Sequence, residues 1–308
     1  MYVLSPTKQY VLGKKIGEGR YGEAFVAHSC DFTIDFCIKR MTKNNGDPGV
    51  RDVYNRESEN LKKISHDNIV KIYEYFEDSD YYYLVFELCK NGTLESILKN
   101  ENIGYNDIVA IFKAILSAIS HSHHQNVVHR DLKLANIALD EAYSPKVIDW
   151  GYSQYLDAKN ERKSFCGSFP YFAPEIFRKQ QHDPKKADIW SIGVCLYFCI
   201  FKTSPWGNGL QSDQLDNLSK ANIQFPSTAT YEQREFLTKM MNINPANRPT
   251  ADELLRHDLF QRIKISRSST DQIKGIRRMS ATGQRLIKPT GLNRTIPLTT
   301  QRGNMLRP

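Results

Sequence analysis

The chain has 308 residues, 40% hydrophobic and 25% charged, which is ample for a sizeable core and ordinary for a globular protein. Its net charge of +8 sits at one end: residues 262–308 hold eleven Lys and Arg against Asp271 alone, so the remainder is slightly acidic and nucleic acid is an unlikely partner for it. The longest apolar run, Ile192 to Phe201, is too short to cross a bilayer, Met1 to Lys15 lacks a signal peptide's apolar core, and the six cysteines contain no Cys-x-x-Cys pair; a reducing setting, cytoplasmic or nuclear, is expected.

Tyr10 to Lys15 reads as a strand, followed by Gly17-Glu18-Gly19-Arg20-Tyr21-Gly22. The next residues, Glu23 to Ala27, are strand-like and not helical, so the glycines belong to a hairpin and not to a dinucleotide-binding turn. Glycines there would let backbone N–H groups approach a polyphosphate, although a flexible hairpin explains them equally well. Phe36 to Arg40 is a third strand, and period two puts Cys37 and Lys39 on one face. A small Cys37 leaves room for a flat base while Lys39 reaches toward phosphates; alternatively, Lys39 is a solvated strand lysine.

The helix from about Arg51 to Ile64 bears on that choice. Val53, Leu61 and Ile64 mark its apolar stripe, Glu57 lies within the stripe, and Glu59 points to solvent. A carboxylate on a buried face needs a cation, and Lys39 is the best candidate. Ile69 to Phe76 and Tyr81 to Glu87 add two strands across the acidic turn Glu77 to Asp80, and Lys90-Asn91-Gly92 leads into helices. Apolar residues at 108, 111, 112, 115, 116 and 119 give a helix over Tyr105 to His121, with His121, His123 and His124 read as structural or surface residues.

From His129 to Gly151 two carboxylates, an ammonium, a guanidinium and a carboxamide fall between apolar pieces. Val127-Val128 and Ile137-Ala138-Leu139 flank a polar loop, and the turn Asp140 to Pro145 brings the chain back through Lys146-Val147-Ile148. Asp131, Lys133, Asn136 and Asp149 should therefore cluster. Two oxygen donors, Asn136 and Asp149, suit Mg²⁺ and not zinc, which leaves Asp131 free as a base beside Lys133. Taken singly, these would be polar loop residues capping strands. Farther on, Asp188 is expected to cap a helix running through Phe201 that is apolar on all sides, with further helices over Glu232 to Asn242 and up to about Phe260.

The spacing Asp131-x-Lys133-x-x-Asn136 after His129-Arg130, then Asp149-Trp150-Gly151 and Ala173-Pro174-Glu175, resembles the eukaryotic protein kinase family over roughly Tyr10 to Phe260. Lys133 and Ser168 resemble its serine/threonine branch, loosely the calcium/calmodulin-dependent and AMP-activated kinases. The resemblance implies an α+β, bilobal fold: an N-lobe (10–87) with an antiparallel sheet and one helix, and a larger, mainly helical C-lobe (90–260). It implies ATP and Mg²⁺ as cofactors. Ile16, Gly17, Glu18, Gly19, Arg20, Tyr21, Gly22, Ala24, Cys37, Lys39 and Glu57 would form the ATP site, with Glu87 and Cys89 at a hinge. Asp131 would take the substrate hydroxyl proton, Lys133 would touch the transferring phosphoryl group, Asn136 and Asp149 would hold the metal, and Ser168 would line the substrate pocket.

By the same resemblance, Ser164 stands at a frequent phosphorylation position, where an upstream activating kinase could add a phosphate for Arg130 to pair with. The alternative is an unmodified serine in a mobile loop. The arginine matching Arg248 would pair with Glu175. Trp150 departs from the usual Phe, Leu134-Ala135 from a frequent Pro-Glu, and Thr93 from an acidic residue of some arginine-directed kinases. A pseudokinase scaffold would lack at least one of Lys39, Glu57, Asp131, Asn136 and Asp149, and all five are present. Partners would be proteins with Ser or Thr acceptors. The basic tail (261–308) has too few apolar residues to fold alone, so disorder is expected. An autoinhibitory or docking segment, an anchor for acidic partners and a phosphorylation target at Arg277-Arg278-Met279-Ser280 are its alternatives.

Overall fold

Alternation along one strand builds two cores. In β4 (Asp35–Thr42), Phe36 and Ile38 face one side of a sheet, while Cys37, Lys39 and Met41 face the other. The first side closes over a small cluster with Val3, Tyr10, Leu12, Ala27, Phe76, Tyr83 and Val85. The second packs against a helix and joins the main core. The computed structural model describes residues 2–29, 31–43, 49–156 and 168–261. The expectations for Ser164 and for the tail from residue 262 on lie outside the described residues.

The sheet has six antiparallel strands in the order β1-β2-β3-β4-β6-β5: β1 (Tyr2–Leu4), β2 (Gln9–Gly19), β3 (Gly22–Ser29), β4, β5 (Ile72–Glu77) and β6 (Tyr81–Glu87). The glycine motif is the β2–β3 hairpin, as expected, with Arg20 and Tyr21 at its tip. Its last glycine is required by packing: a Cβ on Gly22 would run into the Arg40 carbonyl oxygen and lie 2.7 Å from Met41 Cγ. Gly22→Ala is therefore expected to cost about 1–3 kcal/mol, read as a lower denaturant midpoint. Gly17→Ala, whose Cβ meets only Ala24 Cβ at 3.6 Å, should stay within about 0.5 kcal/mol.

Helix α1 (Gly49–Lys63) lies on the second face, burying Val50, Val53, Tyr54, Glu57 and Leu61 and leaving Glu59 exposed. Below it come α2 (Leu94–Asn100), α3 (Tyr105–His124) and two short ribbons. One ribbon pairs β8 (Ile137–Leu139) with β9 (Pro145–Val147), the other β7 (Val127–Val128) with β10 (Gln154–Tyr155). These ribbons set the loops 129–136 and 148–153 side by side, and the Ile148 N–H donates to the Asn136 carbonyl at 2.9 Å. The remaining helices are α4 (Pro174–Phe177), α5 (Pro184–Phe201), α6 (Gln211–Lys220), α7 (Tyr231–Met240), α8 (Ala251–Leu255) and α9 (Asp258–Gln261). This is the bilobal α+β arrangement expected from the sequence. Among the described residues no helix is long and apolar enough to cross a membrane.

Helix α5 is buried nearly all round, as its composition requires, but it starts earlier than expected. Asp183 is its N-cap, accepting from Lys185 N at 2.8 Å, and Pro184 opens the first turn. Asp188 is not a cap. It lies one turn inside the helix, 1% exposed, and its carboxylate serves another loop.

Candidate active site

Lys39 reaches across the cleft side of the sheet to two carboxylates: Glu57 Oε2 at 2.7 Å and Asp149 Oδ1 at 2.9 Å. Glu57 is 1% exposed, so in Lys39 the buried carboxylate has the partner that the helical stripe demanded. Burial opposes the charge on Lys39, but Asp149 and Glu57 outweigh it and hold the ammonium above the usual lysine range. At Asp149, burial pushes the carboxyl up, yet the Lys39 charge and hydrogen bond, with His129 and Lys133 behind them, bring it below the usual carboxylate range. The Asp149 side chain remains 40% exposed, facing the cleft as an ionised oxygen donor.

Close approach of α1 depends on the neighbouring glycine. A Cβ on Gly151 would sit 3.0 Å from Val53 Cγ1 and 3.4 Å from Glu57 Oε2. Trp150 is fully buried, its indole N–H donating to the Val147 carbonyl at 3.2 Å and its ring meeting His129 edge to face at 4.6 Å. The larger aromatic thus fills an interior site without displacing Asp149.

The second cluster centres on Asp131, 5% exposed. Lys133 donates to Asp131 Oδ2 at 2.6 Å and to Ser168 Oγ at 3.1 Å, and the Ser168 hydroxyl donates to Asp131 Oδ1 at 2.9 Å. Asp131 is therefore held on both oxygens, with Lys133 beside it as the spacing suggested. Asn136 spends its amide hydrogens on the Asp131 carbonyl (2.8 Å) and Oδ2 (3.2 Å), which turns its carboxamide oxygen into the atom offered to a cation. Asn136 and Asp149 are two hard oxygen donors of the kind Mg²⁺ uses when phosphates supply the rest of its shell, so the residues fit that ion.

Other expected site residues are placed less directly. The Glu87 carboxylate is turned away onto Lys71 N (2.7 Å) and Lys146 (2.9 Å), and its N–H donates to the Lys71 carbonyl at 3.0 Å, so neither is offered to a ligand. Glu18 is tied to Lys15 at the hairpin surface, and Ile16 is half exposed. Ala24 pairs with Lys39 across β3 and β4. Cys37, opposite Phe86, and Cys89 are partly buried, and burial pushes their thiols up to about 11 and about 12, so both are neutral groups. Arg130 has φ +71° and donates to Gln154 Oε1 at 2.7 Å.

The residue that sequence reasoning missed is Asp188. Its carboxylate accepts from His129 N (2.9 Å), Arg130 N (2.8 Å) and His123 Nε2 (3.0 Å), fixing the backbone just before Asp131. A lone carboxylate entering an apolar run was the available signal. Asp188→Asn presents an N–H to buried donors and is expected to cost about 1–3 kcal/mol in chemical denaturation at pH 7. Burial raises this carboxyl, but His123 and His129 with the backbone N–H groups bring it below its ordinary 3.8. Since the folded value is the lower one, the stabilisation is complete above the unfolded pKa and is lost as pH falls through the folded one. The gap between wild type and variant should therefore hold down to about pH 4 and close only in stronger acid.

The family described as protein kinase domain matches residues 10–260. Probable serine/threonine-protein kinase MARK-A of Dictyostelium discoideum is 28% identical over 272 residues, 87% of this chain and 26% of that protein. Serine/threonine-protein kinase kin-29 of Caenorhabditis elegans is 32% identical over 253 residues, 80% of this chain and 30% of that protein. CBL-interacting protein kinase 2 of Oryza sativa subsp. japonica is 29% identical over 259 residues, covering 83% and 58%. The chain thus spans between about a quarter and three-fifths of the length of these relatives. Since the match runs through both lobes and takes in every residue of the two clusters, the chain belongs to the protein kinase domain family.

Proposed function

We propose that residues 10–260 form a serine/threonine protein kinase domain that transfers the γ-phosphoryl group of ATP, with Mg²⁺, to hydroxyls of protein substrates. The observation that carries this reading is the joining of the two clusters: Asn136 donates to Asp131 Oδ2 at 3.2 Å and its carbonyl accepts from Ile148 N, next to Asp149, at 2.9 Å. A base for the acceptor and an ionised metal donor therefore face one space. Lys39, kept charged, would hold phosphate oxygens, and Asn136 and Asp149 would hold Mg²⁺, which when bound spreads the charge of the phosphate oxygens. Asp131 accepts the proton of the attacking hydroxyl, while Lys133 and Ser168 fix its rotamer. Such catalysis is chiefly positioning and charge stabilisation, which is what a lysine held between two carboxylates and a doubly held base supply.

Several finer readings accompany this one. The Lys133–Ser168 contact favours the serine/threonine branch. Regulation through the segment 152–175, an upstream kinase acting on Ser164, and a basic tail (261–308) that meets acidic partners extend the reading from the sequence. Cys37, Cys89, Cys195 and Cys199 are free, which suits the cytosol or nucleus. Incubating the chain with ATP, Mg²⁺ and separate peptide pools bearing one Ser, Thr or Tyr tests the function. Phosphate should enter the Ser and Thr pools and not the Tyr pool, and Lys39→Met should stop it; labelling of Tyr alone, or none at all, would reject the proposal.

A further inference from the structure

We propose that Tyr152 is a positioning residue that holds the glycine hairpin closed through Tyr21, and that the strip Trp150 to Ser153 straps the hairpin tip to α1. The functional consequence rests on the kinase reading above; the contact itself does not.

Tyr21 occupies the tip of the β2–β3 hairpin, where a side chain is normally free in solvent, yet it is only partly exposed. Its ring meets the ring of Tyr152 at 5.9 Å and 61°, an edge contact between the hairpin and the residue just past Gly151. The Tyr152 ring is itself half-buried at this contact, and burial keeps its phenol protonated well above the usual tyrosine range. The Arg20 guanidinium lies over the other ring at 5.1 Å, so the tip is packed from two sides.

The strip is anchored from behind by α1. Arg56 Nη1 donates to the Gly151 carbonyl at 3.2 Å, and Asn60 Nδ2 donates to Ser153 Oγ at 2.9 Å in a fully buried contact. Ser153 Oγ in turn donates to the Trp150 carbonyl at 2.5 Å. Tyr152 therefore projects forward to the hairpin while the residues on either side of it are fastened to the helix that carries Glu57. The same four residues read the position of α1 and set that of the hairpin tip.

A closed tip covers the end of the cleft where Lys39, Asp131 and Asp149 converge, and its effect is to keep water out. With the tip open, water can attack the γ-phosphorus in place of the acceptor hydroxyl. The bond to the β-phosphate oxygen breaks, and ADP, inorganic phosphate and a proton are released. The contact thus bears on fidelity of transfer. Loss of one aromatic edge contact of ordinary strength should open the tip about fivefold more often.

The test uses the full chain with Tyr152→Leu, Tyr21→Leu and the double variant, which remove one ring, the other, or both. Amide hydrogen exchange over Gly17 to Gly22, without nucleotide, should quicken about fivefold in each single variant and no further in the double. With ATP, Mg²⁺ and an acceptor peptide, the ratio of hydrolysis to transfer should rise by a similar factor in all three. Unchanged exchange in Tyr152→Leu, or effects that add in the double variant, would overturn the latch. If wild type transfers no phosphate, the kinase reading fails and the exchange measurement still decides the contact.

Discussion

Asp131→Asn is expected to lower phosphoryl transfer by about 10²–10⁴-fold while leaving nucleotide affinity within about twofold. The substitution removes the only proton acceptor that Lys133 and Ser168 jointly orient, and it does so at constant volume in a site only 5% exposed. An asparagine oxygen can still accept from the Ser168 hydroxyl. Its amide group then faces the Lys133 ammonium, donor against donor, so the lysine must also leave its present position. Nucleotide binding should survive because Lys39, Glu57 and Asp149 are bonded to one another and not to Asp131. Steady-state rates with a Ser or Thr peptide, beside the dissociation constant of a fluorescent ATP analogue, separate the two effects. A variant that keeps the wild-type rate would remove Asp131 from the mechanism, and one that loses nucleotide binding would show that the two clusters form a single folding unit.

How far the site could be read from sequence depended on whether each residue sat in a periodic element. Glu57 was legible because the apolar stripe of α1 placed a carboxylate where only an ion pair is tolerated, and Lys39 because period two put it on the matching face. The loop cluster was legible from its spacing, but not the bonding within it: nothing local says that Ser168 closes onto Asp131 from 37 residues away. Strand β1 was missed because three residues with one inward side chain, Val3, carry no period to detect. The first turn of α5 was missed because Lys185 and Lys186 are polar there and only Asp183-Pro184 marks the start. Glu87 was assigned to the nucleotide site through its backbone, on resemblance, and nothing local foretold that its carboxylate would bond Lys71 N and Lys146 on β9. Tertiary contacts between loops, such as Tyr21 with Tyr152, leave no trace in local pattern.

Arg248→Met should have the largest effect on stability, about 3–5 kcal/mol, although it touches nothing in the cleft. Arg248 is fully buried and makes a bidentate pair with Glu175, Nη1 to Oε1 at 2.6 Å and Nη2 to Oε2 at 2.7 Å. Its remaining donors go to the Asn242 carbonyl (Nε, 2.8 Å) and the Lys186 carbonyl (3.1 Å), and its guanidinium lies 4.8 Å over Trp190. Methionine fills the volume but strands a carboxylate that is 4% exposed, together with two carbonyls. For a domain of this size the loss corresponds to a fall of about 6–20 °C in melting temperature. Glu175→Gln keeps one acceptor and should cost less, and the double variant Arg248→Met with Glu175→Met should recover part of the loss because no buried charge is left alone. The pair also bears on activity, since Glu175 opens α4 directly after the segment that carries Ser168, which Ser191 and Trp206 hold through the Tyr171 and Pro170 carbonyls. Below its melting point Arg248→Met should therefore transfer phosphate more slowly with unchanged nucleotide affinity. A variant that melts within about 2 °C of wild type would mean that the pair contributes nothing net, its attraction cancelled by the desolvation of both ions.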